Sequence, residues 1–225
     1  MIVQHQDFKL ILTIFVLNMK TKLDLSTWNR KEHFEFFRTF DEPFYHINLN
    51  VDCTAGLKKV KAANHTLFAW YLFDAMRSTN MMKEFRYRIE GEEVFEYDSV
   101  HASPTIGRED GTFGFGQIDL VEDIDTFQRN IKAEIERVRA LDGLFTAPER
   151  PDVIHYSALP WFSFTGLSHP RNYGDGDSIP KISFGKIFEQ NNKSWLPLSV
   201  QVHHGLVDGY HVHKFVDSFT KLLNT

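Results

Sequence analysis

The chain has 225 residues, of which 42% are hydrophobic and 24% charged, enough for one well-buried core and short for two. Aromatic residues make up 14% of it, dominated by 21 Phe, a supply of flat, bulky core material that argues against extended disorder. A formal net charge of −5 with no long basic run excludes the electrostatic footprint of a nucleic-acid-binding protein, so cations that meet an anionic ligand have to be local.

The single Cys53 cannot form an intrachain disulfide, which suits a reducing cytoplasm. Near the N-terminus "FKLILTIFVL" is an apolar run of ten residues. It is too short to span a bilayer and has no small-x-small cleavage site after it. Residues 1–22 are therefore expected to be an N-terminal extension, with the start at Met19, ahead of a single domain over 23–225. No membrane segment is expected.

Ser26 or Thr27 is positioned to cap a short helix whose aromatic face carries Phe34, Phe37 and Phe40. "FYHINLNVD" alternates with period two and predicts a strand. Two helices are predicted next, in "TAGLKKVKAAN" and in "HTLFAWYLFDAMRS", the second apolar nearly all round and so buried. "EVFEYDSV" and "TFGFGQIDL" read as short antiparallel strands around a loop holding Pro104, Gly107 and Gly111. The clearest helix is "EDIDTFQRNIKAEIERVRAL", where Ile124, Phe127, Ile131, Ile135 and Val138 form one stripe.

"DVIHYSALPWFSFTGL" predicts two short strands interrupted by Pro160. "PKISFGKIFEQNNKSWLPLSVQVHH" reads as a hairpin turning at Gln190, Asn191 and Asn192. A last helix from about Gly209 buries Val212, Phe215, Val216, Phe219, Leu222 and Leu223. Hairpin-linked strands with interspersed helices predict an α+β two-layer sandwich with a mixed sheet rather than a doubly wound parallel one. No glycine-rich phosphate loop is present.

Titratable groups crowd into "SVQVHHGLVDGYHVHKF". Strand alternation puts His204 on the side of Leu196, Leu198, Val200 and Val202, and His203 with Ser199 and Gln201 on the other. An imidazole held at the inner end of a strand can accept a proton near neutral pH, so His204 is the first candidate for a general base and His203 the weaker one. Asp208 precedes the last helix, where a carboxylate caps the first turn. Adjacent strand residues face opposite ways and no Cys, His or Glu stands at ligand spacing, so no metal is expected.

The stretch "QVHHGLVDGYH" resembles the active-site signature of the chloramphenicol acetyltransferase family: Gln, aliphatic, His-His, a small residue, two variable positions, Asp-Gly, aromatic, His. "WNRKEHFEFF" is similar to that family's N-terminal helix, "YSALPWFSF" to its Ser-Ala-x-Pro-Trp strand and "LPLSVQVHH" to its last strand, all in order from about Leu23 onward.

The resemblance implies an acetyltransferase-like α+β sandwich assembled as a homotrimer, with active sites between subunits. It implies acetyl-CoA as cosubstrate, no bound cofactor, and chloramphenicol as acceptor, or else another small alcohol. A noncatalytic ligand-binding trimer would keep the same fold. An acyltransferase core of a 2-oxo acid dehydrogenase complex shares the fold type, but a lipoyl-bearing domain and linker are not expected here.

Residue by residue, His204 matches the general base and Ser157 the hydroxyl that hydrogen-bonds the oxyanion. Asp208 and Arg30 match an ion pair that fixes the histidine loop, and Ser183 a threonine that holds a water near the oxyanion. Lys186 and Trp161 match positions near the coenzyme. Departures are Gly205 for Ser or Ala, His155 for an asparagine, Phe37 for a tyrosine of some members, and "SHPRNYGDGDSIP" for a hydrophobic segment of the acceptor pocket.

Overall fold

A computed structural model describes residues 20–171 and 176–225. Ten strands and five α-helices make two sheets and a helical layer among these residues. A small antiparallel sheet has the order β1-β4-β3, from β1 (Lys20–Lys22), β3 (Tyr87–Glu90) and β4 (Glu93–Tyr97). The main sheet has the order β2-β10-β8-β7-β5-β6, with β9 paired to β10. Its strands are β2 (Phe44–Asp52), β5 (His101–Gly107), β6 (Phe113–Phe115), β7 (Val153–Leu159), β8 (Lys181–Gly185), β9 (Phe188–Gln190) and β10 (Lys193–His203). β5, β7 and β8 run parallel to one another, and the remaining pairs are antiparallel.

Period two sorts the main sheet into two unlike faces. Leu196, Leu198, Val200 and Val202 of β10 are 0% exposed and share a core with Ile154, Tyr156, Ile182 and Phe184 of its neighbours. Against this face pack α2 (Thr54–Ala62), α3 (Leu67–Asn80), α4 (Ile124–Arg139) and α5 (Gly209–Asn224). Helix starts are fixed chemically: the Thr66 side chain caps α3 and the Asp123 carboxylate caps α4. The other face carries Ser157, Ser183, Ser199 and Gln201, and it is on this face that the candidate site is built.

The predicted β2, α2, α3, α4, β10 hairpin and α5 are all present. The hairpin turns at Asn191 (φ 53°) and Asn192 (φ 60°), left-handed positions where asparagine is tolerated. Four expectations are corrected. Ser26 and Thr27 do not cap α1 (Lys31–Phe37): both hydroxyls bond Asp24, and Arg30 stands at the cap. Pro104 and Gly107 lie within β5, where the Pro104 carbonyl accepts from the Gly116 N–H at 2.9 Å. β4 pairs with β1 and β3 rather than with β6. After Pro160 no second strand forms before β8 among the described residues.

The apolar run at residues 8–17 lies outside the described residues. Among those described, no helix is long and apolar enough to cross a membrane.

Gly56 marks the closest approach of the C-terminal helix to α2. A Cβ there would sit 1.7 Å from the Leu223 carbonyl oxygen and 2.6 Å from Trp70 Cζ2. Gly56→Ala is expected to destabilise the protein by about 3 kcal/mol, the upper part of the overpacking range. Gly107→Ala, whose added methyl meets nothing within 4 Å, is expected to change stability by about 0.5 kcal/mol or less. Urea denaturation of the two variants checks both.

Candidate active site

His204 is the first residue past β10, and its position is fixed from four sides. Its N–H donates to the Pro43 carbonyl at 2.8 Å, and its own carbonyl accepts from Arg30 Nη2 at 3.1 Å. The ring stacks on Phe37, centroids 4.0 Å apart and planes 14° from parallel, and tilts against Tyr45 at 4.6 Å. Nδ1 is buried without a hydrogen-bond partner, which leaves Nε2 as the nitrogen that can meet a substrate.

Beneath it Arg30, 7% exposed, donates from Nη1 to Asp208 Oδ2 at 2.6 Å. Asp208 also caps α5, accepting from the N–H groups of Tyr210 and His211, while His211 Nδ1 accepts from the Asp208 N–H at 3.1 Å. Burial alone would raise the Asp208 pKa, but the Arg30 hydrogen bond and the positive field of its neighbours hold it below the ordinary carboxylate value. The carboxylate is ionised at neutral pH.

His203 points the other way. It is 4% exposed, its Nδ1 accepts from the Gly205 N–H at 3.1 Å, and burial, then Arg171, bring its pKa down to about 4. It is a neutral buried imidazole. Tyr45 carries no motif signal in the sequence, and His211, the last residue of the histidine signature, serves the helix cap rather than the reaction. The alternation of β2 put Tyr45 on the apolar parity, but only the pairing Val202↔Tyr45 places it beside His204.

A row of short polar side chains crosses the opposite face. Ser157 on β7 pairs with Ser183 on β8, Ser183 with Ser199 on β10, and Ser199 with Asn48 on β2. Ser157 Oγ lies 3.3 Å from Thr105 Oγ1. One step along, His155, Lys181, Gln201 and His46 form a second row. Leu167 and His169, in the connection from β7 to β8, lie over these rows: the Leu167 N–H donates to Asn48 Oδ1 at 3.1 Å and His169 Nε2 bonds Ser183 Oγ at 2.7 Å. Burial, then the Lys181 charge, lower the His155 pKa to about 4, while Lys181 itself is paired to Asp177 at 2.6 Å.

Next to Ser157 opens a cavity of about 540 Å³, bordered by Thr105 and Ala158 and lined by Phe68, Tyr71, Ile187, Trp161, Lys186 and Arg139. Trp161 is 73% exposed, and Lys186 is exposed with it. Arg139 is a cation at this cavity that no motif signalled. Among the described residues, no group of three or more His, Cys, Asp or Glu could hold a metal ion.

The predicted residues thus fall into two groups. Arg30, Asp208 and His204 meet at the end of β10, and Ser157 and Ser183 meet on the polar face beside the cavity of Trp161 and Lys186. His204 lies five residues along from Ser199, the β10 residue in the hydroxyl row, or about 16 Å at strand rise. One chain does not bring the base to the serine.

A mixed sheet with its helices on one face and such residues at its open end defines the class: a chloramphenicol acetyltransferase-like α+β sandwich. One solved chloramphenicol acetyltransferase superposes with a TM-score of 0.82 at 29% identity, over 91% of this chain and all of that one. The sequence model of the chloramphenicol acetyltransferase family matches residues 17–220. Chloramphenicol acetyltransferase 3 of Escherichia coli is 30% identical over 91% of this chain and 97% of its own length. A chloramphenicol acetyltransferase of Clostridium perfringens is 31% identical over 89% and 93%. The chain belongs to the chloramphenicol acetyltransferase family.

His155 and His203, both held near pKa 4 by burial, predict a pH dependence of folding. The unfolded state takes up their protons first, from about pH 6.5 downward. Their contribution is complete above that value and is lost progressively as the pH falls toward 4, on the order of 2–3 kcal/mol apiece. Urea midpoints should therefore fall between pH 7 and 4.5, and the slope should flatten in the His155→Asn, His203→Asn double variant. An unchanged slope in that variant rejects the assignment.

Proposed function

We propose that this protein is an O-acetyltransferase of the cytoplasm that moves the acetyl group of acetyl-CoA to a hydroxyl of chloramphenicol, working as a homotrimer and serving antibiotic resistance. The observation that carries the reading is the clamped His204: an imidazole stacked on Phe37, with its carbonyl tied to Arg30 and one nitrogen left for a substrate.

With both substrates bound, His204 Nε2 accepts the proton of the acceptor hydroxyl as that oxygen attacks the thioester carbonyl. The tetrahedral oxyanion accepts a hydrogen bond from Ser157 Oγ. Collapse breaks the carbon–sulfur bond, and the departing thiolate takes the proton back from the imidazolium. No acyl-enzyme and no bound cofactor is required. Asp208 and Arg30 touch neither substrate and act by holding the loop of the base. The apolar cavity suits the pantetheine arm of the coenzyme, with Trp161 at its mouth and Lys186 to meet a phosphate.

The separation of His204 from Ser157 supports the trimer. A base has to lie within hydrogen-bond reach of the proton it takes, and about 16 Å of strand lies between His204 and the hydroxyl row of the same chain. In the proposed assembly His204 of one copy works opposite Ser157 of a second copy. A different small alcohol as acceptor is favoured by one feature, the polar lining that His169, His155 and Lys181 give to the face carrying Ser157.

Release of free CoA thiol from acetyl-CoA and chloramphenicol tests the reaction. His204→Ala is expected to abolish release, and Ser157→Ala to reduce kcat by about 10²–10³. A folded His204→Ala variant that retains activity rejects the base assignment, and wild-type protein releasing no thiol rejects chloramphenicol as acceptor. Co-refolding equal amounts of the two variants is expected to restore about a quarter of wild-type activity, since random closed rings place an intact His204 opposite an intact Ser157 at one interface in four. Within-chain sites would restore none.

A further inference from the structure

The connection between β7 and β8 carries the stretch "SHPRNYGDGDSIP", one of the departures from the family pattern, and its Leu167 and His169 lie against the hydroxyl row. Leu167 is tied there twice, its N–H to Asn48 Oδ1 at 3.1 Å and its carbonyl to Ser199 Oγ at 3.4 Å. His169, two residues further, is thereby held over Ser183. Ser183 is 0% exposed and its hydroxyl is engaged by His169 Nε2 at 2.7 Å. Since Ser183 stands in register beside Ser157 on the neighbouring strand, the imidazole lies within roughly 8 Å of the Ser157 hydroxyl.

A neutral imidazole offers one donor and one acceptor. Ser183 uses one of them. The other, on Nδ1, has no partner among the described residues and is not among the buried unpartnered atoms, and the residue is half-buried. Burial, then the charge of Lys181, lower the His169 pKa, so the ring is neutral at neutral pH. The charge of Lys181 is already met by Asp177 at 2.6 Å, and the other unpartnered atoms of this face, His155 Nδ1 and Gln201 Oε1, are fully buried, whereas the open His169 nitrogen is not.

We infer that His169 is a specificity residue of the acceptor site. Its open ring nitrogen hydrogen-bonds a second polar group of the alcohol being acetylated, and the preferred acceptors are polar, polyfunctional alcohols, diols and amido alcohols, over alcohols bearing a single hydroxyl. The inference rests on the acetyl-transfer reading above. It gives the reaction a selectivity that neither the base nor the oxyanion donor supplies, because a site built to hydrogen-bond a substrate group discriminates against the analogue lacking it.

The test uses the assembled full-length enzyme with chloramphenicol, which carries a second hydroxyl and an amide, and 4-nitrobenzyl alcohol, which carries neither. His169→Leu is expected to lower kcat/KM for chloramphenicol by about 10–100-fold. The slow rate on 4-nitrobenzyl alcohol and the KM for acetyl-CoA are expected to stay within about twofold. His169→Asn, which retains a hydrogen-bonding side chain, is expected to recover much of the loss. Equal losses on both alcohols, or no loss on chloramphenicol, overturn the inference while leaving acetyl transfer intact. Wild-type enzyme that releases thiol with neither alcohol overturns the acetyl-transfer reading, and this inference with it.

Discussion

The ion pair between Arg30 and Asp208 joins residues 178 positions apart in the chain, and the geometry of the base depends on it. Arg30 opens α1 and Asp208 opens α5, so the pair ties the first and last helices to each other beneath the end of β10. The same guanidinium reaches the His204 carbonyl, which couples the ion pair to the peptide that carries the imidazole. Stranding one charge of such a pair typically costs about 3–5 kcal/mol. The penalty would fall on the loop that aims His204, before any effect on the rest of the core.

A second constraint follows from β10 being central and buried on both faces. Its apolar face closes on the helices without polar loss. Its other face sets Ser199, Gln201 and His203 in a place nearly free of water, where each polar atom needs a partner or costs about 1–3 kcal/mol. Most are satisfied locally: His203 by the Gly205 N–H, Ser183 by His169, Lys181 by Asp177. Others are not. His155 Nδ1, Gln201 Oε1, Tyr45 Oη and His204 Nδ1 are buried without a partner, and all four lie on the polar face or beside the base. Unpaired buried polar atoms are uncommon in a packed core, and their grouping here coincides with the candidate site.

The parts of this architecture that were legible in the sequence are the local ones. Alternation along "LPLSVQVHH" placed His204 with the apolar residues, the Asn191–Asn192 pair marked the hairpin turn, and Asp208 before an amphipathic run marked a capped helix. Pairing between distant strands is not written in a local period. The partner of β4 is not legible locally, because the small sheet it enters is completed by β1, whose three exposed residues carry no periodic signal. Pro104 lacks the N–H of a ladder and so resembles a loop residue in sequence, yet its carbonyl still serves Gly116. Ser26 and Thr27 looked like caps, but Asp24, two and three residues earlier, takes both hydroxyls. Motif spacing likewise named His204 and Ser157 without telling how far apart one chain holds them.

The two halves of the site differ in how they are built, and this separates chemistry from selectivity. His204, Asp208 and Arg30 are fixed by backbone hydrogen bonds, a helix cap and a part-buried ion pair, so substitution in any of them disturbs the fold around the base. The β7–β8 connection is attached to the hydroxyl row mainly through side chains, Asn48, Ser199 and His169 with Ser183, and among its described residues contributes no strand to the sheet before β8. A loop held in this way can exchange its residues while the ladders of β7, β8 and β10 beneath it stay as they are. In the proposed assembly the base comes from one copy and the acceptor wall from another, so a change at position 169 alters which alcohol is held without moving the imidazole that deprotonates it.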